Sequence, residues 1–411
     1  MGKPPSVPLQ ELCQVIQYGY TASATQETVG PKFLRITDIA PDTIKWEEVP
    51  YCKIEKGKEE KYILKSGDIV IARTGATTGY AKYLKNPPPS VFASYLIRIQ
   101  VKKGIDARFV GLVVQSDIYK RFIQTQMGGS AQPNANAKVL TSFPVLLPPL
   151  PVQNKIASFL SAYDDLIENN LRRIKSLEEM AQLLYREWFV KFRFPGHEKV
   201  RMVDSPLGKI PEGWKAVTLG DLAHEERRAV SPDEIDPETP YIGLEHMPRR
   251  SIALSEWGEA REVQSTKLLF KAGEILFGKI RPYFHKVGVA LVDGACSSDA
   301  IVIIAESPET FPLVLGCVSS VEFIAHASQT SQGTKMPRAN WQLLTNFPIA
   351  MPPRPLLVAF NKTIRDAVSL IANLVLRNRN LRRSRDLLLP NLISGELDVS
   401  DLDIKVREDI G

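Results

Sequence analysis

Between residues 156 and 188 the seam residues recur at alternating spacings of four and three: Ile156, Leu160, Tyr163, Ile167, Asn170, Ile174, Leu177, Ala181, Leu184 and Trp188. That period holds one stripe of an α-helix toward a partner, as in a coiled coil. The spacing returns at Phe360, Ile364, Ala367, Ile371, Leu374, Asn378, Leu381, Arg385 and Leu388, with Asn378 and Arg385 as its polar members. The first helix is predicted to begin near Pro151, reach about Phe192 and stop at Pro195-Gly196. The second begins near Pro355 and runs to about Leu389, ahead of Pro390, which cannot supply a helical N–H. Elsewhere the pattern changes. Gly67-Asp68 and Gly273-Glu274 are turns feeding the apolar runs Ile69-Val70-Ile71 and Ile275-Leu276-Phe277, which predict strands.

These matched features belong to an internal repeat. Aligning 133–151 with 337–355 superimposes Pro133, Ala135, Asn136, Leu140, Thr141, Phe143, Pro144, Pro148, Pro149 and Pro151 on identical residues, ten matches in nineteen positions. Lys65–Ile71 echoes Lys271–Phe277, and Val7–Leu12 faces Val217–Leu222. The offset drifts from 210 to 206 to 204, as insertions and deletions in loops produce. The expected order is domain, helix, domain, helix: a first domain over 1–150, a long helix over 151–194, a linker and second domain over 195–350, and a second helix with a tail over 351–411. The stretch 193–214 reads as the linker because it holds Pro195, Gly196, Pro206, Gly208, Pro211 and Gly213. The fold class expected is α+β, with two mixed domains separated by an antiparallel two-helix coiled coil.

The antiparallel direction follows from the two asparagines. A buried amide needs a partner, and Asn against Leu leaves donors unsatisfied at a cost of ~1–3 kcal/mol, so Asn170 should face Asn378. Running the helices antiparallel about that pair makes partner numbers sum to 548. Trp188 then meets Phe360, Leu184 meets Ile364, Ala181 meets Ala367, Leu177 meets Ile371 and Ile174 meets Leu374. Beyond the asparagines Ile167 meets Leu381, Tyr163 meets Arg385 and Leu160 meets Leu388. From Leu160 to Trp188 such a rod spans ~42 Å at 1.5 Å per residue. Phe159, Leu166, Met180, Val368, Val375 and Leu389 flank the seam, more apolar surface than two strands need, so helices of another protein are expected to cover them.

Composition adds limits. The 411 residues exceed one ordinary core, and 52 Lys and Arg against 46 Asp and Glu give a mildly basic chain that tolerates a polyanionic partner. Cys13, Cys52, Cys296 and Cys317 form no Cys-x-x-Cys pair and lie at no ligand spacing to His, against both a disulfide framework and a zinc site. No apolar run reaches the ~18–20 residues of a membrane span, and a cytoplasmic location is expected.

The duplicated half, its Gly-acidic turn, its Phe-Pro and Pro-Pro junction and its long helix resemble the specificity subunit of type I restriction-modification systems. The most telling local pieces are Gly273-Glu274-Ile275-Leu276-Phe277-Gly278-Lys279-Ile280-Arg281-Pro282-Tyr283, Trp188-Phe189-Val190, and Ile210-Pro211-Glu212-Gly213-Trp214 opening the second domain, which the first domain lacks. The resemblance covers nearly the whole chain. It implies a non-catalytic subunit whose two target-recognition domains each read one half of a bipartite asymmetric DNA site. It also implies helices that bind modification subunits, two of them expected, carrying S-adenosylmethionine. Restriction subunits using ATP and Mg for translocation and cleavage would join that core, and no cofactor is expected on this chain.

Signs of chemistry in the chain itself are weak. Asn86-Pro87-Pro88-Pro89 evokes an amino-methyltransferase motif but lacks the aromatic residue that stacks on a flipped base, and a loop is the better reading. Pro41-Asp42 with Glu59-Glu60-Lys61 imitates a nuclease metal site, yet the crowding of Glu55, Lys56, Lys58 and Lys61 reads as a solvated loop. No phosphate loop and no nucleophile elbow occur. DNA reading needs groups that reach base edges, with cations on phosphates to set register. Candidates in the first domain are Arg73, Thr74, Thr77, Thr78, Gln132, Asn134 and Lys138. Those in the second are Lys279, Arg281, Tyr283, His285, Lys286, Gln332, Lys335 and Arg338. Two other readings remain. A self-contained DNA methyltransferase or nuclease predicts activity from the purified chain, and a duplicated helical scaffold unrelated to DNA predicts no salt-dependent DNA binding.

Overall fold

The computed structural model describes residues 4–41, 43–127 and 134–406. The chain forms two compact units, Met1–Glu168 with Asn380–Gly411, and Asn169–Arg379. The boundaries therefore fall within the long helices rather than at their starts. Each unit holds one domain and part of both helices, because those parts bury their apolar faces in that domain's core.

In the first unit Ser6–Pro8 pairs antiparallel with Pro144–Leu146, the strand that leads into the first long helix. Behind it lies an antiparallel sheet in the order Cys13–Tyr18, Leu96–Val101, Ile69–Ala72, Ala81–Tyr83. The run Ile69-Val70-Ile71-Ala72 does not alternate with polar residues because both of its faces are covered. Ile69 and Ile71 pack with Phe109, Val113 and Tyr119 of two following helices, while Val70 and Ala72 pack with Leu34 and Phe92 of a second small sheet.

The second unit repeats this plan. Lys215–Thr218 pairs with Pro348–Met351, and the sheet order is Ala223–Glu226, Ala300–Ala305, Ile275–Gly278, Val287–Val289. The repeated residues carry equivalent backbone duties. Gly67 and Gly273 turn with φ of 89° and 90°, the left-handed region that glycine enters without strain. The carboxylates of Asp68 and Glu274 each accept the N–H three residues back, at 2.9 Å. Asn136 and Asn340 cap four-residue helices, accepting from the N–H of Val139 at 2.9 Å and of Gln342 at 3.0 Å. Leu9 and Leu219 donate to Phe143 and Phe347, both at 2.9 Å.

The long helices span Leu150–Tyr185 and Arg354–Ser394. The first continues through Arg186–Val190 in wider, π-type turns. The second does not stop at Pro390 but carries it inside and ends at Gly395, whose φ is 74°. The turn beyond the proline buries Leu392 and Ile393 in the first unit's core, which offsets the lost hydrogen bond.

The antiparallel register is as expected. Within the second unit Asn170 Nδ2 donates to Asn378 Oδ1 at 2.8 Å, both residues buried, and Trp188 lies 5.9 Å from Phe360 between ring centroids. Arg385, in the first unit, departs from expectation. Its guanidinium takes the carboxylate of Asp164 at 2.6 Å, and Tyr163 packs edge-on against Phe159 instead. A charge-assisted bond to a carboxylate outweighs a ring face.

The stretch 193–214 is not a free linker. Met202–Ser205 and Gly208–Pro211 form a hairpin, and Phe194, Ile210 and Trp214 are buried, with Phe189, Phe192 and Phe194 gathered around the Trp214 ring. Among the flanking residues, Leu166 and Met180 are exposed. Val375 is buried in the second unit's core, and Phe159, Leu389 and Val368 are half-buried against the cores of their own units. No single described helix is both long and apolar enough to cross a membrane.

Candidate nucleic-acid interface

Each unit places its candidate residues around one construction. The strand Ile69–Ala72 runs out into Arg73 and Thr74, and Thr74 bridges antiparallel to Asn134 while the N–H of Ala135 donates to the Arg73 carbonyl at 2.8 Å. In the second unit Ile280 bridges Arg338, and Ala339 donates to the Lys279 carbonyl at 3.0 Å. The loop after the central strand is thus tied to the loop before the capped short helix, at matching positions of the repeat.

In the first unit this brings Arg73, Thr74 and Asn134 together. The Arg73 guanidinium lies 5.0 Å over the Tyr18 ring and donates to Asn134 Oδ1 at 3.2 Å. Tyr18 in turn accepts the N–H of Ala137 at 3.0 Å. Lys138 is exposed on the short helix, and Thr77 is half-buried. Thr78 is buried with its hydroxyl on the Gly75 carbonyl at 2.7 Å, so it closes the glycine loop and leaves the set of surface groups. Gln132 lies outside the described residues.

The second unit gathers Lys279, Arg281, Gln332 and Arg338, with Lys335 exposed beside them. Glu225, Arg227, Lys279, Gln332, Arg338 and Trp341 line a cleft of about 380 Å³. Burial lowers the Lys279 pKa, while Glu225 and Asp299 oppose that shift. Arg281 holds a left-handed backbone, φ 50°, unusual for a residue with a Cβ. Its N–H donates to the Pro337 carbonyl at 2.7 Å, and Tyr283, in the next turn, is exposed.

Two residues of the second set turn inward. His285, also left-handed, is buried with Nε2 2.9 Å from the Ser319 carbonyl, and burial lowers its pKa, which favours the neutral ring. Lys286 donates to the Leu244 carbonyl, and burial likewise lowers its pKa. Both are satisfied within the fold.

Sequence reasoning missed the outer strand. Along Cys13–Tyr18 the residues alternate, and Ile16 and Tyr18 fall on the exposed side, joined by Tyr95. Apolar residues on the solvent face of a strand were the available signal. Glu225, Arg227 and Asp299 went unnoticed because charged residues in loops and on edges are common.

Residues 6–179 match the family model described as type I restriction modification DNA specificity domain. That match covers 174 of the 411 residues, and over it the chain is similar to the type I restriction-modification specificity family. It is 25% identical over 340 residues to the type I restriction enzyme MjaIX specificity subunit of Methanocaldococcus jannaschii, covering 81% of this chain and 78% of that one. To the EcoDI specificity subunit of Escherichia coli it is 25% identical over 300 residues, 66% of each. The fold resembles the crystal structure of the type I restriction-modification S subunit from M. genitalium, with a TM-score of 0.58 at 12% identity, over 94% of this chain and 95% of that one. The family match begins at Ser6, where the first strand opens, and runs into the first long helix, so it encloses the whole bridged construction of the first unit.

Proposed function

We propose that this chain is the DNA-reading subunit of a type I restriction-modification complex, without catalytic chemistry of its own. Each unit contacts one half of a bipartite, asymmetric site. The observation that carries this reading is the bridged loop built twice, Thr74 with Asn134 and Ile280 with Arg338, each copy surrounded by exposed polar and cationic groups. A duplicated construction with divergent side chains suits two related but different half-sites. If these lie about one helical turn apart, ~10 base pairs centre to centre, roughly six unspecified pairs separate them.

The long helices support a docking role for modification subunits carrying S-adenosylmethionine. Leu166 in the first unit and Met180 and Leu183 in the second are exposed on the first helix, as is Leu376 on the second helix, apolar groups that a partner's helices would cover. Restriction subunits would bring ATP and Mg to the same cytoplasmic complex.

The test is a footprint and a salt titration on the full-length chain assembled with its modification subunits. We expect a discontinuous protected sequence and a binding constant that falls steeply with salt, by about 0.9 log unit per phosphate contact and log unit of salt. A continuous recognition sequence refutes the bipartite reading. Absent DNA binding returns the scaffold alternative, and methyl transfer, cleavage or ATP hydrolysis by the isolated chain returns the self-contained enzyme.

A further inference from the structure

Strand register allows the two units to be compared residue by residue around the bridged loop. Ile69 pairs with Ile99, which pairs with Ile16, and Ile275 pairs with Ile303, which pairs with Glu225. Ile16 and Glu225 therefore occupy one position, and two residues along Tyr18 and Arg227 occupy the next. Tyr95 and Asp299 correspond because their carbonyls accept the N–H of Arg73 and Lys279, at 3.0 and 2.8 Å. Asn134 and Arg338 share the bridge.

The backbone is the same: Arg73 and Lys279 keep a cation at one shared position, and at the other positions the chemistry differs. The first unit presents Ile16, Tyr18 and Tyr95 at 39%, 44% and 57% exposure, beside the amide of Asn134. The second places carboxylates and cations there: the Glu225 side chain, only 9% exposed, is held by exposed Arg227 at 2.9 Å, and Asp299, 33% exposed, lies 3.4 Å from Arg338. A surface meant only for phosphates would be cationic, since carboxylates repel them. Carboxylates interleaved with cations instead match base edges, where guanine offers acceptors and the cytosine amine is a donor. Apolar side chains and an asparagine amide match the thymine methyl and the adenine N6 and N7 pattern.

We infer that these equivalent positions are the base-reading set, and that the first unit selects A·T pairs where the second unit selects G·C pairs. This rests on the proposed reading of DNA by both units. The residues that decide it in the second unit are Asp299, accepting from cytosine, with Arg227 and Arg338 donating to guanine; Glu225 orients Arg227, and Lys279 is matched by the cation Arg73 and does not distinguish the units. In the first unit they are Tyr95 and Asn134.

The test retains duplexes with a randomised core on the full-length chain assembled with its modification subunits, followed by sequencing of the bound pool. Asp299→Asn, Glu225→Gln and Tyr95→Ser are compared with the parent, and thermal melting verifies that each is folded. The parent should enrich two separated blocks, one with A·T and one with G·C at its core. Asp299→Asn or Glu225→Gln should weaken discrimination in the G·C block alone, by roughly 5- to 150-fold at a contacted pair. Tyr95→Ser should weaken the A·T block alone. Two blocks of the same base composition, or folded variants whose preferences match the parent in both blocks, overturn the inference while leaving DNA reading intact. A parent pool with no enrichment overturns both.

Discussion

Replacing Asn378 with leucine attacks the register of the helix pair at its one polar layer in the second unit. Asn170 and Asn378 are both buried, 4% and 1% exposed, and joined by a 2.8 Å hydrogen bond. In Asn378→Leu the Asn170 amide loses that acceptor while remaining buried, at a cost of ~1–3 kcal/mol. For a unit of this size each kcal/mol moves melting by roughly 2–4 °C, so the expected fall is between about 2 and 12 °C. Replacing both residues by leucine removes the polar groups together, and exchanging a buried polar pair for packed apolar side chains is often neutral or stabilising. The double variant should therefore melt above Asn378→Leu. Differential scanning calorimetry on the parent, Asn170→Leu, Asn378→Leu and the double variant closes a cycle, with a coupling energy of roughly 1–3 kcal/mol expected. Additivity of the two single changes within ~0.5 kcal/mol would refute the claim that the two amides depend on each other.

Glu178 is buried among Ser251 Oγ at 2.6 Å and the Ala253 N–H at 2.9 Å, and burial raises its pKa above the ordinary carboxyl value. Between an unfolded value of ~4.3 and that raised value the folded state holds the extra proton, so its contribution is fully present below the window and is lost as pH rises through it. The melting temperature of Glu178→Gln minus that of the parent should increase from pH 4 to pH 7, and a difference independent of pH would contradict this. Leu392→Ala, beyond Pro390, should destabilise the first unit by about 2–5 kcal/mol in chemical denaturation, because Leu392 packs in that unit's core rather than in a frayed tail; a loss under ~0.5 kcal/mol would show that the turn after the proline is dispensable.

The long helices and their direction were legible because their constraints are periodic and local. A 3.5-residue stripe names a face, and two buried amides demand each other. The repeat was legible because its matched residues hold backbone geometry: Gly67 and Gly273 turn, Asn136 and Asn340 cap, and the residues before Pro144 and Pro348 fasten the first strand of each domain. What stayed hidden depends on tertiary packing. Residues 193–214 look like a linker by their prolines and glycines, yet Phe194, Ile210 and Trp214 fill the second unit's core. Pro390 looks like a stop, yet the side chains after it have a core to enter. His285 looks like a reader, yet a left-handed backbone turns its ring inward.

The drift of the repeat offset locates where the two units were free to differ. The offset falls from 210 to 206 between the first strand and the Gly-acidic turn, and that interval contains most of the second sheet of each unit. There the topologies diverge, into four strands in the first unit and five in the second, while the sheets that hold Ile69–Ala72 and Ile275–Gly278 have four strands in both units and keep one strand order. Side chains diverge differently, at fixed backbone positions. Ile16 against Glu225 and Tyr95 against Asp299 exchange apolar for charged groups without disturbing the pairing on either side. A carboxylate at a largely buried position costs several kcal/mol unless it is paired; the Glu225 side chain, 9% exposed, is paired with Arg227 at 2.9 Å, and Asp299 stays one-third exposed beside Arg338. Selection for packing alone has no use for apolar groups in one unit and ion pairs in the other at matched places, whereas selection for two unlike ligands on one scaffold requires them.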